Sequence, residues 1–472
     1  MHVTFYGGAG GVTGSKHLID TGQQQILLDC GTFQGQADVY SRNRSLPFAP
    51  EEIDHVVLSH AHIDHCGMLP LLVKRGFSGS IFATAATRDV ANYMLNDMAR
   101  IQEQDADFRT RHKTGSPDSR EPLFTTKDIP RTMDRFVPVP YAREGEGWRS
   151  IAPGVQLKFY DAGHILGSAV TVLEIDTDDG PKRIAYTGDV GAPGTPLFYD
   201  PQVPEEEIDT VIAESTYGGK EHKTLDEMYV RLADSINEVY DRKGKIIIPA
   251  FSLGRTQVIV YVLHRLTDEG KIPRLPVFVD SPLATNLTEV FRDHRDVYDE
   301  ESITDFRKDD LPLAFRNLKY TQSVDESKAL NNMPGPYIVI SASGMMTAGR
   351  VVHHLRHCIS DKKNAIFITG YQASGTLGRR LLQGAHRVEL YGDWFNVRAD
   401  VQVFNEFSAH SDHAQMSSYL SRFKGIKQVL LVHGEPSQAD VFKNELAAAH
   451  KDWVVQRPDE GETIQIPPPS SA

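Results

Sequence analysis

The sequence has few cysteines and no long apolar run, and these two scarcities exclude whole classes of protein. Three cysteines among 472 residues are too few and too scattered for a disulfide scaffold, and they are typical of a reducing compartment. No run of about 18 apolar residues occurs, so no transmembrane helix is expected. The opening MHVTFYGGAGG lacks the basic and apolar segments of a secretory signal. We therefore expect a cytoplasmic protein with no membrane partner.

Basic residues are also in deficit. The chain has 50 Lys and Arg residues against 63 Asp and Glu residues, which leaves a formal net charge of −13. This balance argues against non-specific binding of nucleic acid by the whole surface. Residues 349–398 reverse the sign, since eight Lys and Arg against three acids leave +5 there and −18 elsewhere. The pattern is consistent with a basic groove on an acidic body.

The composition is that of a folded protein with more than one domain. Apolar residues make up 40% of the chain and charged residues 24%, and about 100–200 residues per domain is usual. Short strand-like runs separated by glycine turns fill the first part, and a proline-rich acidic stretch follows at 196–209. Beyond it, strands such as 245–250 alternate with helices such as 225–240. This alternation predicts a mainly parallel, doubly wound sheet.

The strongest chemical signal is His60-Ala-His62-Ile-Asp64-His65, directly after an apolar strand. Histidine accounts for only 19 of 472 residues, so three around an acid within six positions are improbable by chance. Imidazole and carboxylate ligands suit borderline-soft ions, zinc above all. Residues two apart in an extended segment point the same way, so His60 and His62 can share one ion. Asp64 and His65 are then offset to serve a second ion.

Two other strand ends carry a polar residue beside a glycine. They are Tyr160-Asp-Ala-Gly-His164 and Tyr186-Thr-Gly-Asp189. A lone His or Asp at such a place is more often a satisfied turn residue than a ligand. These two sites gain weight only if the fold joins them to the first motif.

Taken together, these motifs carry a family resemblance. HAHIDH, Asp29 in LLDCG, AGHILGS and TGDVG resemble the metallo-β-lactamase superfamily of hydrolases. Further stretches resemble its β-CASP subfamily, and they are ESTYG with Glu214, PAFSLGRTQ, SASGMM, GYQASGTLGR, FSAHSDH and VHGEP. The resemblance covers nearly the whole chain. It implies an α/β fold, an αββα sandwich with an inserted doubly wound α/β cap, divided as 1–214, 215–395 for the cap and 396–472.

The resemblance also implies a set of site residues. One zinc ion would be held by His60, His62 and His164, a second by Asp64, His65 and His433, with Asp189 bridging both. Manganese is an alternative, since such sites accept it to a differing degree. Asp29 would support the ligand loop, and a ligating histidine normally needs such a partner. His410 would act as general acid with Glu214 as its hydrogen-bond partner. Asp64 would be both a metal ligand and a catalytic residue.

The implied function is hydrolysis of RNA. A histidine at the position of His433 is found in the RNA-cleaving members of the subfamily and not in the DNA-processing ones. Small-molecule members of the superfamily lack the cap, so the cap favours a polymer substrate. A zinc-dependent endoribonuclease of the short bacterial type is the leading hypothesis, because the chain ends soon after the last motif. The alternatives are a 5′-exoribonuclease of the RNase J kind, a small-molecule metallohydrolase and a non-catalytic RNA-binding scaffold. RNA and a second copy of the chain, as a homodimer, are the expected partners.

Contacts to RNA phosphate are expected from the cap. The residues named for this are Arg255 and Arg379 in glycine motifs, with Ser252, Ser343 and Ser374 as hydroxyl donors. Phe251 and Tyr371 are candidates for base stacking. The remaining histidines near these motifs are expected to be structural or on the surface, namely His353, His354, His357 and His413.

Overall fold

The strands and helices divide between two compact units in the computed structural model, which describes residues 1–35, 39–114, 120–142, 147–221, 224–309, 313–373 and 375–466. The first unit comprises Met1–Pro193, Tyr199–Glu221 and His410–Ala472. The second comprises Gly194–Phe198 and His222–Ala409. The cap bounds of 215 and 395 stay a prediction from sequence.

The first unit begins with eleven strands and five helices in the described part of the chain. The strands are β1 His2–Gly7, β2 Lys16–Asp20, β3 Gln25–Leu28, β4 His55–Val57, β5 Ser80–Ala83, β6 Phe136–Pro138, β7 Arg149–Ala152, β8 Val155–Asp161, β9 Ala169–Ile175, β10 Lys182–Tyr186 and β11 Thr210–Glu214. The helices are α1 Val39–Arg42, α2 Ile63–Cys66, α3 Leu69–Lys74, α4 Ala85–His112 and α5 Ile129–Met133.

The second unit alternates strands and helices. Its helices are α6 Leu225–Asp241, α7 Arg255–Asp268, α8 Pro282–Asp293, α9 Glu300–Asp309, α10 Val324–Asn332, α11 Arg350–Cys358 and α12 Leu377–Leu382. Its strands are β12 Lys245–Pro249, β13 Val277–Asp280, β14 Leu318–Tyr320, β15 Tyr337–Ser341, β16 Ala365–Ile368, β17 Arg387–Leu390, β18 Asp393–Asn396 and β19 Asp400–Val403. The chain then completes the first unit with α13 His413–Ser421, β20 Gln428–Val432, α14 Pro436–Ala449, β21 Val454–Gln456 and β22 Thr463–Gln465.

Two seven-stranded sheets form the body of the first unit. Their strand orders are β22-β1-β2-β3-β4-β5-β6 and β21-β20-β11-β10-β9-β8-β7. One apolar core joins side chains of both sheets, such as Phe5 and Ile26 with Leu157 and Ile212. A second core packs the other face of the second sheet against α13 and α14, with Leu420 and Phe442 as members. The apolar alternation of these strands therefore produces a sandwich covered by helices.

The second unit is built on a six-stranded sheet with the order β14-β13-β15-β12-β16-β19. Every neighbouring pair is parallel, as the alternation of strands and helices predicted. Helix α6 begins where the Thr224 side chain accepts the backbone N–H of Glu227. The antiparallel hairpin β17–β18 was not predicted, and its turn places Tyr391 and Gly392 at positive φ.

The apolar residues Val90, Tyr93, Met94 and Met98 have helical spacing, and helix α4 extends beyond them at both ends. It begins after Thr84, whose side chain accepts the backbone N–H of Thr87, and it ends at Lys113 with φ of 54°. In the described ranges, none of the helices combines the length and apolar character needed to cross a bilayer.

A buried carboxylate organises one end of the parallel sheet. Asp280 closes β13 and accepts hydrogen bonds from Thr321 (2.5 Å), Arg350 (2.7 Å), Ser327 (2.6 Å) and His354 (2.6 Å). Burial alone would raise the pKa of Asp280, but its partners, His354 foremost, hold that pKa well below its usual range. The network ties β13 to α10, to α11 and to the residue after β14.

Asp280→Ala should destabilise the second unit, because it leaves the partly buried Arg350 and the buried His354 without their anion. We expect a loss of about 3–5 kcal/mol in the free energy of unfolding of this unit. Urea denaturation followed by the fluorescence of Trp394, with the other two tryptophans replaced by Phe, measures it. Glu389→Ala removes an exposed acid of the same unit and should change stability by less than about 0.5 kcal/mol. Equal midpoints for both variants would contradict the prediction.

Candidate metal centre

The predicted ligands all follow the ends of strands in the first unit. His60 follows β4, His164 follows β8, Asp189 follows β10 and His433 follows β20. The two sheets of the sandwich thus deliver their polar strand ends to one place. His62 precedes α2, and this short helix carries Asp64 and His65.

Backbone packing holds the α2 loop against the chain beyond β3. Cys30 N–H donates to the His65 carbonyl at 2.7 Å, and Thr32 N–H donates to the Ile63 carbonyl at 3.0 Å. Gly31 lies between them, and a Cβ there would lie 1.6 Å from the Asp64 carbonyl oxygen. Only glycine permits this approach. The glycine of LDCG is therefore part of how the loop presents its ligands.

Two site residues have a positive φ, a backbone conformation that residues other than glycine rarely adopt. Asp29 has φ of 58° and His433 has φ of 48°. The His433 N–H donates to the Gly8 carbonyl at 2.5 Å, which holds the turn in place. Such conformations are retained where the surroundings determine them, and they concentrate at functional sites.

The first cluster consists of His60, His62, His164 and Asp189. The His62 Nδ1 atom lies 3.1 Å from His60 Nε2 and 3.3 Å from His164 Nε2. Asp189 Oδ2 lies 3.4 Å from His60 Nε2 and 3.5 Å from His164 Nε2. Four ligand atoms therefore surround one point.

The second cluster consists of Asp64, His65 and His433, and Asp189 faces it as well. The Nε2 atoms of His65 and His433 are 3.2 Å apart, and Asp64 Oδ2 lies 3.5 Å from His433 Nε2. Asp189 Oδ1 lies 3.4 Å from His65 Nε2. Each oxygen of the Asp189 carboxylate thus faces a different cluster.

These residues fit a pair of zinc ions. A tetrahedral ion with Zn–N distances of about 2.0–2.1 Å sets its ligand nitrogens about 3.3 Å apart, close to the separations within both clusters. Asp189 Oδ1 is buried and makes no hydrogen bond with any described residue. A buried carboxylate oxygen without a donor is costly unless a cation satisfies it. Imidazole nitrogens and carboxylate oxygens, the donors present here, are also ligands that suit zinc.

Burial keeps two of the imidazoles in the form that binds metal. It lowers the pKa of His62 to about 3 and the pKa of His60 well below its usual value. Neighbouring histidines contribute to the lowering at both positions. Neutral imidazole is the ligating form, so these side chains need not lose a proton at neutral pH.

Asp29 is linked by hydrogen bonds to one ligand histidine of each cluster, on the side of the ring away from the cluster. Its Oδ2 atom accepts the Nδ1–H of His65 and the hydroxyls of Tyr186 and Ser59, each at 2.7 Å. Because the Ser59 proton goes to Asp29, Ser59 Oγ accepts the Nδ1–H of His60 at 3.0 Å. Both imidazoles then present a bare Nε2 to their cluster. One carboxylate sets the tautomer of a ligand in each cluster.

His410 and Glu214 lie together beside Asp189. The His410 Nδ1 atom is 3.0 Å from Glu214 Oε2 and 3.1 Å from Oε1. His410 Nε2 lies 4.0 Å from Asp189 Oδ2. Burial lowers the pKa of His410, but Glu214 and Asp189 outweigh it and raise that pKa to about 9. Glu214 therefore orients the imidazole and favours its protonated form.

The residues predicted to contact phosphate lie in the second unit, apart from Ser374, which falls outside the described residues. Arg255 begins α7 and donates to the Thr369 carbonyl, and Arg379 is exposed on α12. Ser252 Oγ lies 3.1 Å from Ser281 Oγ, and Ser343 Oγ lies 3.2 Å from the Thr347 hydroxyl. Phe251 and Tyr371 are exposed. Their contacts with RNA stay predictions.

The four histidines without a role have structural or surface positions. His354 is buried against Asp280, while His353 and His357 are exposed on α11. His413 donates to the Gly218 carbonyl at 2.6 Å and pairs with Glu445 at 2.8 Å.

Comparison with known proteins now identifies the fold family. The sequence model of the Metallo-beta-lactamase superfamily matches residues 9–250, which is about half of the chain. The chain belongs to the metallo-β-lactamase superfamily. A Beta-Casp domain matches residues 256–381, and a Zn-dependent metallo-hydrolase RNA specificity domain matches residues 394–458. The resemblance, the fold class and the enzyme class, a metal-dependent hydrolase, are thereby confirmed.

Superfamily members of known name match over most of their length. Ribonuclease TTHA0252 of Thermus thermophilus is 33% identical over 462 residues, covering 98% of this chain and 99% of that protein. An RNase J-like protein of Methanocaldococcus jannaschii is 30% identical and covers 93% of each chain. Transcription termination factor FttA of the same organism is 31% identical over 93% of this chain and 67% of its own. A solved structure from Enterococcus faecalis, of unknown function, shares the fold with a TM-score of 0.54 at 11% identity and covers 98% of this chain and 99% of that one.

The sequence did not predict the three hydroxyl groups that hydrogen-bond to site residues of this superfamily member. Ser59, Tyr186 and Thr216 all bond to a site residue, yet none belongs to a metal-ligating residue type. The only signal was adjacency, since Ser59 precedes His60 and Thr216 stands two residues after Glu214. Many hydroxyls flank motifs without such a role, so the sequence alone does not select these three.

Asp29→Asn should weaken zinc binding, because an amide cannot accept hydrogen bonds as strongly as the carboxylate that orients both imidazoles. We expect a loss of about 10–100-fold in zinc affinity, measured by competition with a chromophoric chelator. Asp20→Asn alters a partly exposed acid at the end of the neighbouring strand β2 and should leave affinity unchanged. Unaltered affinity in Asp29→Asn would show that Asp29 does not orient the ligands.

Asp161→Asn should change how stability depends on pH. Asp161 ends β8, accepts the Gly163 N–H at 2.8 Å ahead of His164, and is buried, which raises its pKa to about 7. Since the unfolded pKa is about 3.9, the folded state favours the protonated acid, and this stabilisation is lost as pH rises from about 4 through 7.

The asparagine keeps the hydrogen-bond acceptor but does not titrate. The difference in unfolding free energy between Asp161→Asn and wild type should therefore shift in favour of the variant as pH rises. The shift is about 1.4 kcal/mol per pKa unit, measured by urea denaturation at fixed zinc concentration. The exposed Asp176→Asn serves as control, and parallel pH profiles for Asp161→Asn and wild type would refute the prediction.

Proposed function

We propose that the chain is a zinc-dependent ribonuclease that hydrolyses RNA phosphodiester bonds, cutting within the strand. The observation that supports this best is the pair of clusters sharing Asp189, with the His410 imidazole 4.0 Å from that carboxylate. His60, His62 and His164 would hold one ion, and Asp64, His65 and His433 the other. Paired zinc ions, when bound, clamp a phosphate and activate water as a nucleophile.

The chain's own residues would supply the proton for the leaving group. His410 would keep one proton on Nδ1, directed at Glu214, and the raised pKa of its imidazole, about 9, favours a second proton on Nε2. The Nε2 proton is the one available to the leaving 3′-oxygen, and this supports His410 as the general acid. Glu214 is itself held by the Val190 N–H at 2.6 Å, so the pair is fixed before substrate binds.

RNA as substrate is supported by the relatives and by the matched RNA specificity domain. Ribonuclease TTHA0252 matches along nearly its whole length. The basic segment 349–398 would provide the local positive potential that RNA needs. Phosphate contacts by Arg255, Arg379, Ser252, Ser343 and Ser374 belong to this proposal. A homodimer, a cytoplasmic location and manganese as the alternative to zinc remain predictions from sequence.

A circular single-stranded RNA tests the proposal, because it has no ends for an exonuclease. The zinc-loaded wild type should linearise it. His410→Ala should lose about 10²–10⁴-fold in rate through loss of the general acid, and Asp64→Ala should abolish cleavage through loss of a ligand. His357→Ala, an exposed histidine of the second unit, should cleave like wild type.

Each alternative predicts a different product. An intact circle together with shortening of a 5′-monophosphorylated linear RNA would indicate a 5′-exoribonuclease. Turnover of a chromogenic ester far above any RNA cleavage would indicate a small-molecule hydrolase. RNA binding without zinc-dependent cleavage would indicate a binding scaffold. Undiminished cleavage by both Asp64→Ala and His410→Ala would overturn the proposed mechanism.

A further inference from the structure

Thr216 stands between the carboxylate of Glu214 and the imidazole of His433. Its Oγ1 atom lies 2.5 Å from Glu214 Oε2, 3.2 Å from His433 Nδ1 and 3.0 Å from the His433 carbonyl oxygen. Glu214 and His433 are almost fully buried, with exposures of 2% and 4%. Thr216 lies in the ESTYG stretch, in which the sequence pointed to Glu214 and not to this hydroxyl. Its three partners leave little freedom for its proton.

The single hydroxyl proton belongs on Glu214. A separation of 2.5 Å is typical of a charge-assisted bond from a hydroxyl to a carboxylate, and the 3.0 Å approach to a neutral carbonyl is weaker. With its proton on Glu214, Thr216 Oγ1 has lone pairs left to accept a hydrogen bond. The nearest donor to them is the Nδ1–H of His433.

A competing partner for His433 Nδ1 exists, but its geometry is poor. Asp189 Oδ1 lies 3.4 Å away and makes no hydrogen bond with any described residue. The Nδ1 proton therefore belongs to Thr216, and His433 Nε2 is left bare. That Nε2 atom faces Asp64 at 3.5 Å and His65 at 3.2 Å.

We propose that Thr216 is a positioning residue that fixes the His433 tautomer and ties this ligand to the carboxylate holding His410. The proposal rests on the proposed dizinc site. Glu214 then acts on His410 and His433 as Asp29 acts on His65 and His60. Each carboxylate orients one imidazole directly and a second through a hydroxyl, Ser59 in one case and Thr216 in the other.

Thr216 is not needed to join the strands on which these residues stand. Strands β11 and β20 form a parallel ladder from Thr210 to Glu214. Beyond it, the Ser215 hydroxyl donates to the Val432 carbonyl at 2.8 Å. The Ser215 hydroxyl thus holds the same strand ends through a backbone carbonyl, and Ser215→Ala is a matched control.

Zinc affinity tests the proposal separately from catalysis. Thr216→Val keeps the side-chain volume but removes the hydroxyl, so one of two bound zinc equivalents should weaken by about 10–100-fold. Thr216→Ser keeps the hydroxyl and should restore wild-type affinity, and Ser215→Ala should retain it. Chelator competition and metal analysis after dialysis measure this on full-length chains whose folding circular dichroism has verified.

Equal zinc affinity in wild type and Thr216→Val would overturn the proposal, and so would failure of Thr216→Ser to restore it. Should Thr216→Val not fold, Thr216→Ala is the second hydroxyl-free variant and is judged by the same criterion. Failure of the proposed function has a different signature. Wild type would then bind two zinc ions, and Thr216→Val would lose one, while circular RNA stayed intact throughout.

Discussion

The arrangement of the first unit depends on a buried carboxylate that two groups of imidazoles share. Asp189 is nearly inaccessible to solvent and directs one oxygen at each cluster, and one of these oxygens has no hydrogen-bond donor among the described residues. Without a cation, such an assembly of buried polar groups carries a large desolvation cost. These polar groups are brought together because strand ends from both sheets of the sandwich converge at Asp189.

Two further carboxylates fix the protons of the centre. Asp29 and Glu214 are buried on different sides of it, and each accepts hydrogen bonds from an imidazole and from a hydroxyl. A proton held on Nδ1 of a ligand histidine such as His65 leaves its Nε2 free for the cluster, whereas the proposed general acid His410 carries a proton on both nitrogens. The ligands are therefore oriented by their second neighbours as much as by the loops that carry them.

Much of this centre could be predicted because metal-ligating residue types are rare and their spacing is restrictive. The run from His60 to His65 indicated two metal sites before any fold was known. His164 and Asp189, by contrast, were weak signals on their own, since single polar residues at strand ends are common. The family resemblance assigned both residues to the metal site. The strand order of the second sheet explains why they lie close together, because β8, β9 and β10 are consecutive neighbours there.

Other features could not be read from residue types. The antiparallel hairpin β17–β18 interrupts an otherwise parallel alternation, and its turn requires Tyr391 at a positive φ that tyrosine does not favour. The roles of Ser59 and Thr216 depend on which neighbouring atom receives one proton. Asp280 was not singled out either, because its four partners lie between 41 and 74 positions further along the chain.

The sequence by itself determined the parallel character of the second unit and the superfamily, and it predicted the residues that would hold the metal ions. The parallel character of the second unit follows from the periodicity of its strands and helices. The full donor set and the superfamily follow from motifs that resemble those of a known family. Only the tertiary structure decided which atoms meet, because His433 and His65 are 368 positions apart and their nitrogens are 3.2 Å apart. Contacts of that kind arise from the pairing of strands and the packing of sheets, and no local pattern specifies them.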